Sequence, residues 1–472
     1  MRYLFYCIEI IIAAQCITGC CKNDNEPQDV PMELEAVDLG LPSGVLWASQ
    51  NLSADRPWAL GEMFRWGETS PVDEKPYQYI ENGSLTKYNF DSSCGIVDKR
   101  FILEPEDDAA TIALGDEWRI PTKWEIQELI DNCNWETKRV HGIFCYKITS
   151  KVNFNYIYLP RSEVYGIFHG PIHYYRYWTS CLALADKYVA VHYEDDSLSE
   201  MHRSMGGYIR PVYARRASLD GISLKQPNIS LQPGEKTKLS VDFTPKDALD
   251  KRITWRISAD SLAFINKDGS VTALLPGSAV ITAFADAEGY TSEANLSISQ
   301  FVAPEKVDLG LPSGKLWADR NIGAIKIDDY GLFFLWGETN PNDPYGAPRY
   351  SSINKKAFVD GYLAKEYDPA TKHLGAGWSV PTKADFSELI NYCNCKFIFI
   401  DYVGTMGILT SKINGNVLHL TPALSFWTSE YQTEQAVYTF QIQNDSNGNP
   451  SPSFKVYNYS WQRGIRPVFS SR

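Results

Sequence analysis

The stretch Arg161-Ser-Glu-Val-Tyr-Gly-Ile-Phe-His-Gly-Pro-Ile-His-Tyr-Tyr-Arg176 concentrates side chains suited to recognition: Tyr165, His169, His173, Tyr174, Tyr175 and Arg176. Tyrosine and arginine offer large, stiff contact surfaces with polar tips, and a loop carried on a stable scaffold is a common place for a binding site. Phe168 and Ile172 are apolar enough to anchor such a loop on its own domain. His169 and His173 stand four apart, a metal-ligand spacing on a helix, but Gly170-Pro171 between them excludes the helix. No metal is expected there. Glu194-Asp-Asp196 and Asn444-Asp-Ser-Asn-Gly448 are rich in oxygen ligands, yet neither gives an ordered set closing on a bidentate carboxylate, and both read as solvated turns. No G-x-S-x-G elbow or comparable catalytic signature appears, so no catalytic residue and no cofactor is assigned.

The elements that must position this stretch are written twice. Val37-Asp-Leu-Gly-Leu-Pro-Ser-Gly44 returns as Val307 to Gly314, and the phrases after it recur in order. Trp66-Gly-Glu-Thr69 answers to Trp336 to Thr339, and Asp108-Ala-Ala-Thr111 to Asp368-Pro-Ala-Thr371. Ile120-Pro-Thr-Lys123 answers to Val380 to Lys383, Thr149-Ser-Lys151 to Thr410 to Lys412, Trp178-Thr-Ser180 to Trp427 to Ser429, and Ile209-Arg-Pro-Val212 to Ile465 to Val468. The chain therefore holds two copies of one domain. They disagree most between Lys151 and Tyr177, where the first copy is longer than the second is between Lys412 and Phe426. The recognition stretch is that insertion.

Leu-Pro-Ser-Gly in the opening phrase is a tight turn between short strands. Thr122 with Glu125 is a capping box, followed by Ile126, Leu129, Ile130 and Cys133 on one helix face. Thr382, Asp385, Phe386, Leu389, Ile390 and Cys393 repeat that pattern. Short strands are expected at 142–147, 156–159, 437–441 and 454–457, giving an α+β domain with much irregular structure. Trp47, Trp66, Trp118 and Trp178 each have a partner in Trp317, Trp336, Trp378 and Trp427 and read as core. Residues 217–300 alternate like strands, with Pro233-Gly234, Asp268-Gly269 and Pro276-Gly277 as turns, and read as a small β-sandwich.

The chain has 472 residues, 44% of them hydrophobic and 13% aromatic, which suits about three domains with real cores and excludes a disordered chain. A net charge of −12, with no basic block, repels phosphate backbones and excludes nucleic acid as an expected partner. Arg2, an apolar run and Ile17-Thr-Gly-Cys20 read as a targeting segment. It resembles the lipobox of bacterial lipoproteins, which implies cleavage before Cys20 and a diacylglycerol on its thiol. Lys22-Asn-Asp-Asn-Glu26 is similar to the short signals that send Bacteroidota lipoproteins to the outer face. The expected membrane attachment is a lipid anchor only. Removing Cys7, Cys16 and Cys20 from the 10 cysteines leaves an odd number, which argues against a disulfide framework.

Six of these ordered phrases, all but Asp108 to Thr111, resemble the major paralogous domain family first described in Fibrobacter (FISUMP-type), over about 37–212 and 307–468. That resemblance implies a C-type-lectin-like or formylglycine-generating-enzyme-like fold. The calcium-lectin triplets do not occur, and of the enzyme's cysteine pair the first copy offers only Cys181 between Thr179 and Val212. Leu231-Gln-Pro-Gly-Glu235, Ile253-Thr-Trp255 and Asp268 to Ala283 resemble the group 2 bacterial immunoglobulin-like domains of surface adhesins, which implies a rigid spacer with Trp255 between its sheets.

The expected plan is a signal peptide at 1–19, a tether at 20–35, α+β C-type-lectin-like domains at 36–216 and 303–472, and an all-β immunoglobulin-like sandwich at 217–302. The expected function is that of a non-enzymatic surface lipoprotein of the outer membrane, binding a glycan or surface protein through the first copy's insertion. The alternatives are a structural or accessory subunit of a surface assembly and, third, a formylglycine-generating-enzyme-like catalyst.

Overall fold

A computed structural model describes residues 33–471 apart from 74, 167–169, 175, 185–188, 195–196, 343–354, 401–403, 422–424, 434–435, 447–448 and 459–460, with backbone alone at 162–166, 170–174, 400, 404 and 444. Cys20, with the signal peptide and most of the tether, lies outside these residues. The chain divides into two compact units, 1–216 and 217–472. Both are mostly β, built from many small sheets, so the expected α+β mix is weighted heavily toward strand.

In the first unit the opening phrase bends where Gly44 N–H meets the Leu41 carbonyl at 3.0 Å, and Gly44 takes φ +77°, which a side chain would resist. Strand Ala36–Val37 pairs with Leu46–Ala48, Val37 opposite Trp47. Leu46–Ala48 pairs on with Val212–Tyr213, and that strand with Trp118–Arg119. One four-stranded sheet thus gathers three of the recurring phrases. The second unit repeats it with Lys306–Val307, Leu316–Ala318, Val468–Phe469 and Trp378–Ser379.

Among the described residues each repeat carries two α-helices. In the first, α1 is Ala109–Leu114 and α2 is Lys123–Asn132; in the second, α3 is Pro369–Leu374 and α4 is Lys383–Tyr392. Asp108 caps α1 and also accepts the Ile120 N–H at 3.0 Å, tying the helix start to the Ile-Pro-Thr-Lys phrase. Asp368 does the same for α3 through Val380 N–H at 2.9 Å. The predicted capping boxes are present on α2 and α4. Cys133 and Cys393, expected on the helix faces, are instead the first residues of the strands Cys133–Val140 and Cys393–Ile400. Their backbones are extended and paired with Ser150 and Ser411, which ends each helix one residue before them. Both remain buried, and burial pushes their thiols up to about 11.

The matched tryptophans are core. Seven of the eight are buried, while Trp118 is partly exposed and packs edge-on against Tyr213. Trp66 Nε1 donates to the Thr179 carbonyl at 2.9 Å and Trp178 Nε1 to Phe64 at 2.7 Å. Trp336 and Trp427 donate to Thr428 and Phe334 at 2.7 and 2.8 Å. A buried indole needs its N–H satisfied. The two Trp phrases satisfy each other, which is why they recur together.

Residues 221–298 pack a four-stranded sheet against smaller sheets over Leu231, Leu239, Val271, Ile281 and Leu296. Trp255 contributes only from the margin of this core, partly exposed. The module does not stand clear of the second repeat as a spacer would. Leu274 joins the repeat's core with Ile322, Leu332 and Phe334, and the rings of Phe301 and His373 lie 4.3 Å apart.

Candidate ligand site on the first repeat

The insertion is a hairpin, not the Gly/Pro-broken loop that its composition predicts. Strand Tyr156–Gly166 pairs with Ile143–Ser150 on one side and Gly170–Tyr174 on the other. Pro171 is tolerated because its strand is the outer one of the sheet, where a missing N–H breaks no ladder. Gly166 and Gly170 face each other across the turn. Of the predicted site residues, the register places Tyr165 opposite Pro171, His173 opposite Glu163 and Tyr174 opposite Ser162. His169 and Tyr175 lie outside the described residues.

Arg176 sits at the base of this hairpin, half-buried, and its guanidinium Nε approaches Glu194 Oε2 at 3.5 Å. The same carboxylate oxygen lies 3.2 Å from His192 Nε2. Arg176 therefore leans on its own sheet, whereas the sequence reading left it free to face a ligand. His192 is buried against Trp178, and burial pulls its imidazole below the ordinary 6.5. Glu194 opposes that shift and Arg176 adds to it. Strand pairing puts Ser425, Gln441 and Thr439 at the corresponding places of the second repeat, where Gln441 Nε2 donates to Ser425 Oγ and to the Tyr457 hydroxyl, both at 3.1 Å.

A second feature of this sheet escaped the sequence reading. Beside α2 lies an open groove of about 340 Å³, with Lys123, Trp124 and Gln127 on the helix side and Val191, Leu198 and Glu200 on the strand side. Lys123 Nζ stands 5.2 and 5.0 Å from the ring centres of Phe101 and Trp124. The available signal was that Trp124 has no counterpart, since Ala384 holds its place.

Of the two acidic stretches, Asp195, Asp196, Asn447 and Gly448 lie outside the described residues. Glu194 pairs with Ser197, and Asn444 with Pro450, with Asn449 N–H donating to Asp445 Oδ1 at 2.8 Å. Among the described residues no group of three or more His, Cys, Asp or Glu is placed to hold a metal ion. Cys181 is buried and accepts the Lys123 N–H at 3.4 Å, in contact with the start of α2. No described helix is long and apolar enough to cross a membrane.

Among known proteins, an alpha-L-arabinofuranosidase of Bifidobacterium longum subsp. longum is 27% identical over 166 residues, covering 30% of this chain and 15% of the enzyme. The chain thus spans under a fifth of that relative's length. Among solved structures, domains 4 and 5 of the S-layer protein SbsC match at 11% identity and a TM-score of 0.16, covering 35% of this chain and 98% of theirs. Domains 4–9 of SbsC match at 10% and 0.17, covering 72% and 44%. Residues 218–294 match the family of bacterial Ig-like domains (group 2), and the module between the repeats is a domain of that kind.

Proposed function

We propose that this chain is a non-enzymatic, lipid-anchored protein of the outer membrane surface, whose repeats are C-type-lectin-like domains of the FISUMP type and whose first repeat binds a glycan or a surface protein. The observation that carries the reading is the group 2 bacterial Ig-like domain held between two copies of one scaffold. Two further features support it. The first repeat departs from the second in its longer insertion and in the residues that wall its groove, Trp124 standing where the second has Ala384, while the core-forming phrases are kept. The likeness to part of an alpha-L-arabinofuranosidase fits a carbohydrate setting.

A binding screen of residues 30–472 against glycans and matrix proteins tests the reading. Saturable binding that needs the first repeat is expected. Silence in the screen, with a stable co-purifying partner, would favour the accessory-subunit reading, which the packing of the Ig-like domain onto the second repeat supports. For the anchor, Cys20→Ala is expected to abolish palmitate labelling and release the chain from membranes. Unchanged labelling would move the anchor to Cys21 or end the lipoprotein reading.

A further inference from the structure

We infer that the groove beside α2 holds a single neutral sugar ring, a pyranose at the end of a glycan, with Trp124, Val191 and Leu198 as its apolar wall. This deepens the ligand-binding reading above and rests on it. The argument begins with size. A cleft of about 340 Å³ lies at the low end of the roughly 300–1,000 Å³ typical of small-molecule sites, which suits one ring and not an extended chain.

The chemistry of the walls narrows the ligand further. Trp124, Val191 and Leu198 supply apolar surface, while the Lys123 ammonium, the Gln127 amide, the Ser199 hydroxyl and the Glu200 carboxylate supply donors and acceptors around it. The ammonium and the carboxylate cancel in charge. A phosphate would meet Glu200 and a cation would meet Lys123, so neither is favoured. A pyranose matches both parts, because one face presents C–H groups and its edge presents hydroxyls.

The wall residues differ at the corresponding place of the second repeat. Lys383 corresponds to Lys123, and strand pairing aligns Tyr438 with Val191 and Phe454 with Leu198. There Lys383 Nζ sits 3.9 Å from the centre of the Tyr438 ring and 5.7 Å from that of Phe454. In both repeats the lysine lies over aromatic rings, but in the first these are Phe101 and Trp124, which leaves the smaller Val191 and Leu198 on the strand side of the groove. Trp124, Val191 and Leu198 are replaced by Ala384, Tyr438 and Phe454, so the residues that wall the groove belong to the first repeat alone.

The test titrates residues 30–472, which contain every described element, with the methyl glycosides of glucose, galactose, mannose and N-acetylglucosamine, read by indole fluorescence and saturation-transfer NMR. Inorganic phosphate and methyl glucuronide serve as charged comparators. At least one neutral glycoside is expected to saturate with a Kd of about 0.1–10 mM, as weak single-ring binding would give. Trp124→Ala is expected to weaken it about tenfold or more, and Val191→Tyr to abolish it by filling the groove. Val191 is buried, so Val191→Tyr is expected to lower the thermal midpoint somewhat, and its folding is checked by the melt before the titration. If that variant does not fold, Glu200→Ala and Gln127→Ala at exposed positions are expected to weaken binding about fivefold or more.

Binding unchanged in Val191→Tyr, or no saturation by any neutral glycoside, would overturn the site, as would tighter binding of the charged comparators. A ligand from the wider screen whose binding survives Val191→Tyr would remove this site and leave the surface-binding reading standing. Silence in both experiments would remove both.

Discussion

Arg119 and Glu125 form a two-pronged ion pair inside the first repeat, Nη1 to Oε2 at 2.8 Å and Nη2 to Oε1 at 2.6 Å, with both side chains almost wholly buried. Glu125 is also the capping-box residue of α2. The second repeat has Ser379 in place of Arg119, and its capping carboxylate, Asp385, takes its counter-charge from Lys315 at 2.8 and 2.9 Å. Lys315 corresponds to Val45 in the other copy. Arg119→Ser is therefore expected to cost the first repeat about 3–5 kcal/mol, because it leaves a buried carboxylate without its partner. Adding Val45→Lys should return about half of that or more. Urea denaturation of the two variants checks both numbers, and no rescue by Val45→Lys would show that the repeats do not exchange this charge.

His192 gives a pH dependence with a definite sign. Its folded pKa is depressed by burial from 6.5, with Glu194 acting against the shift and Arg176 with it. The unfolded chain thus binds the proton more readily than the folded one. Its contribution to stability is complete above pH 6.5 and lost as the pH falls below that value. His192→Thr, which copies Thr439, should flatten this part of the stability profile between pH 7.5 and 5.5. An unchanged slope in that variant would place the titrating group elsewhere.

The hairpin remains the other candidate contact surface. Tyr174→Ala and Tyr165→Ala are each expected to cost binding about 1–3 kcal/mol with little change in the unfolding midpoint, as exposed contact residues behave. A fall in stability of about 3–5 kcal/mol would instead identify these side chains as buried packing. Calorimetry beside a binding titration separates the outcomes.

Gly234 takes φ +89°, and a Cβ there would lie 1.7 Å from the Gly323 carbonyl oxygen. Gly234→Ala should therefore separate the Ig-like domain from the second repeat. The native 217–472 region is expected to melt as one transition, and the variant as two in differential scanning calorimetry. A single unshifted transition in the variant would show that this contact does not couple them.

What could be read from the sequence was local. Thr122 with Glu125 and Thr382 with Asp385 are spaced by the helix itself, and both boxes form. The paired tryptophans were legible because they recur in fixed phrases. The hairpin was not, since Gly170-Pro171 signals a break in any central strand and only its outer position in the sheet makes it harmless. Cys133 fitted the helical spacing, but its pairing with Ser150 was formed by residues beyond that window. The groove joins Trp124 to Val191 and Leu198, residues far apart in sequence whose meeting depends on how α2 crosses the sheet. Compensation across distance was equally hidden. Asn51 Nδ2 meets the Tyr177 hydroxyl at 3.1 Å, while Asn321 Nδ2 meets Thr421 Oγ1 at 3.1 Å, with Phe426 in the place of the tyrosine.

The four-stranded sheet that gathers the recurring phrases also fixes how the first repeat carries tension. The chain enters through Ala36–Val37 and leaves through Val212–Tyr213, and Trp47 pairs with Val37 on one side and Val212 on the other. A pull applied between the two ends of the repeat would run across that one residue's ladder, from entry strand to exit strand. The hairpin, α2 and the groove lie off this line. A drag force on the surface would strain the shortest strands of the repeat first and leave the candidate binding surfaces at rest.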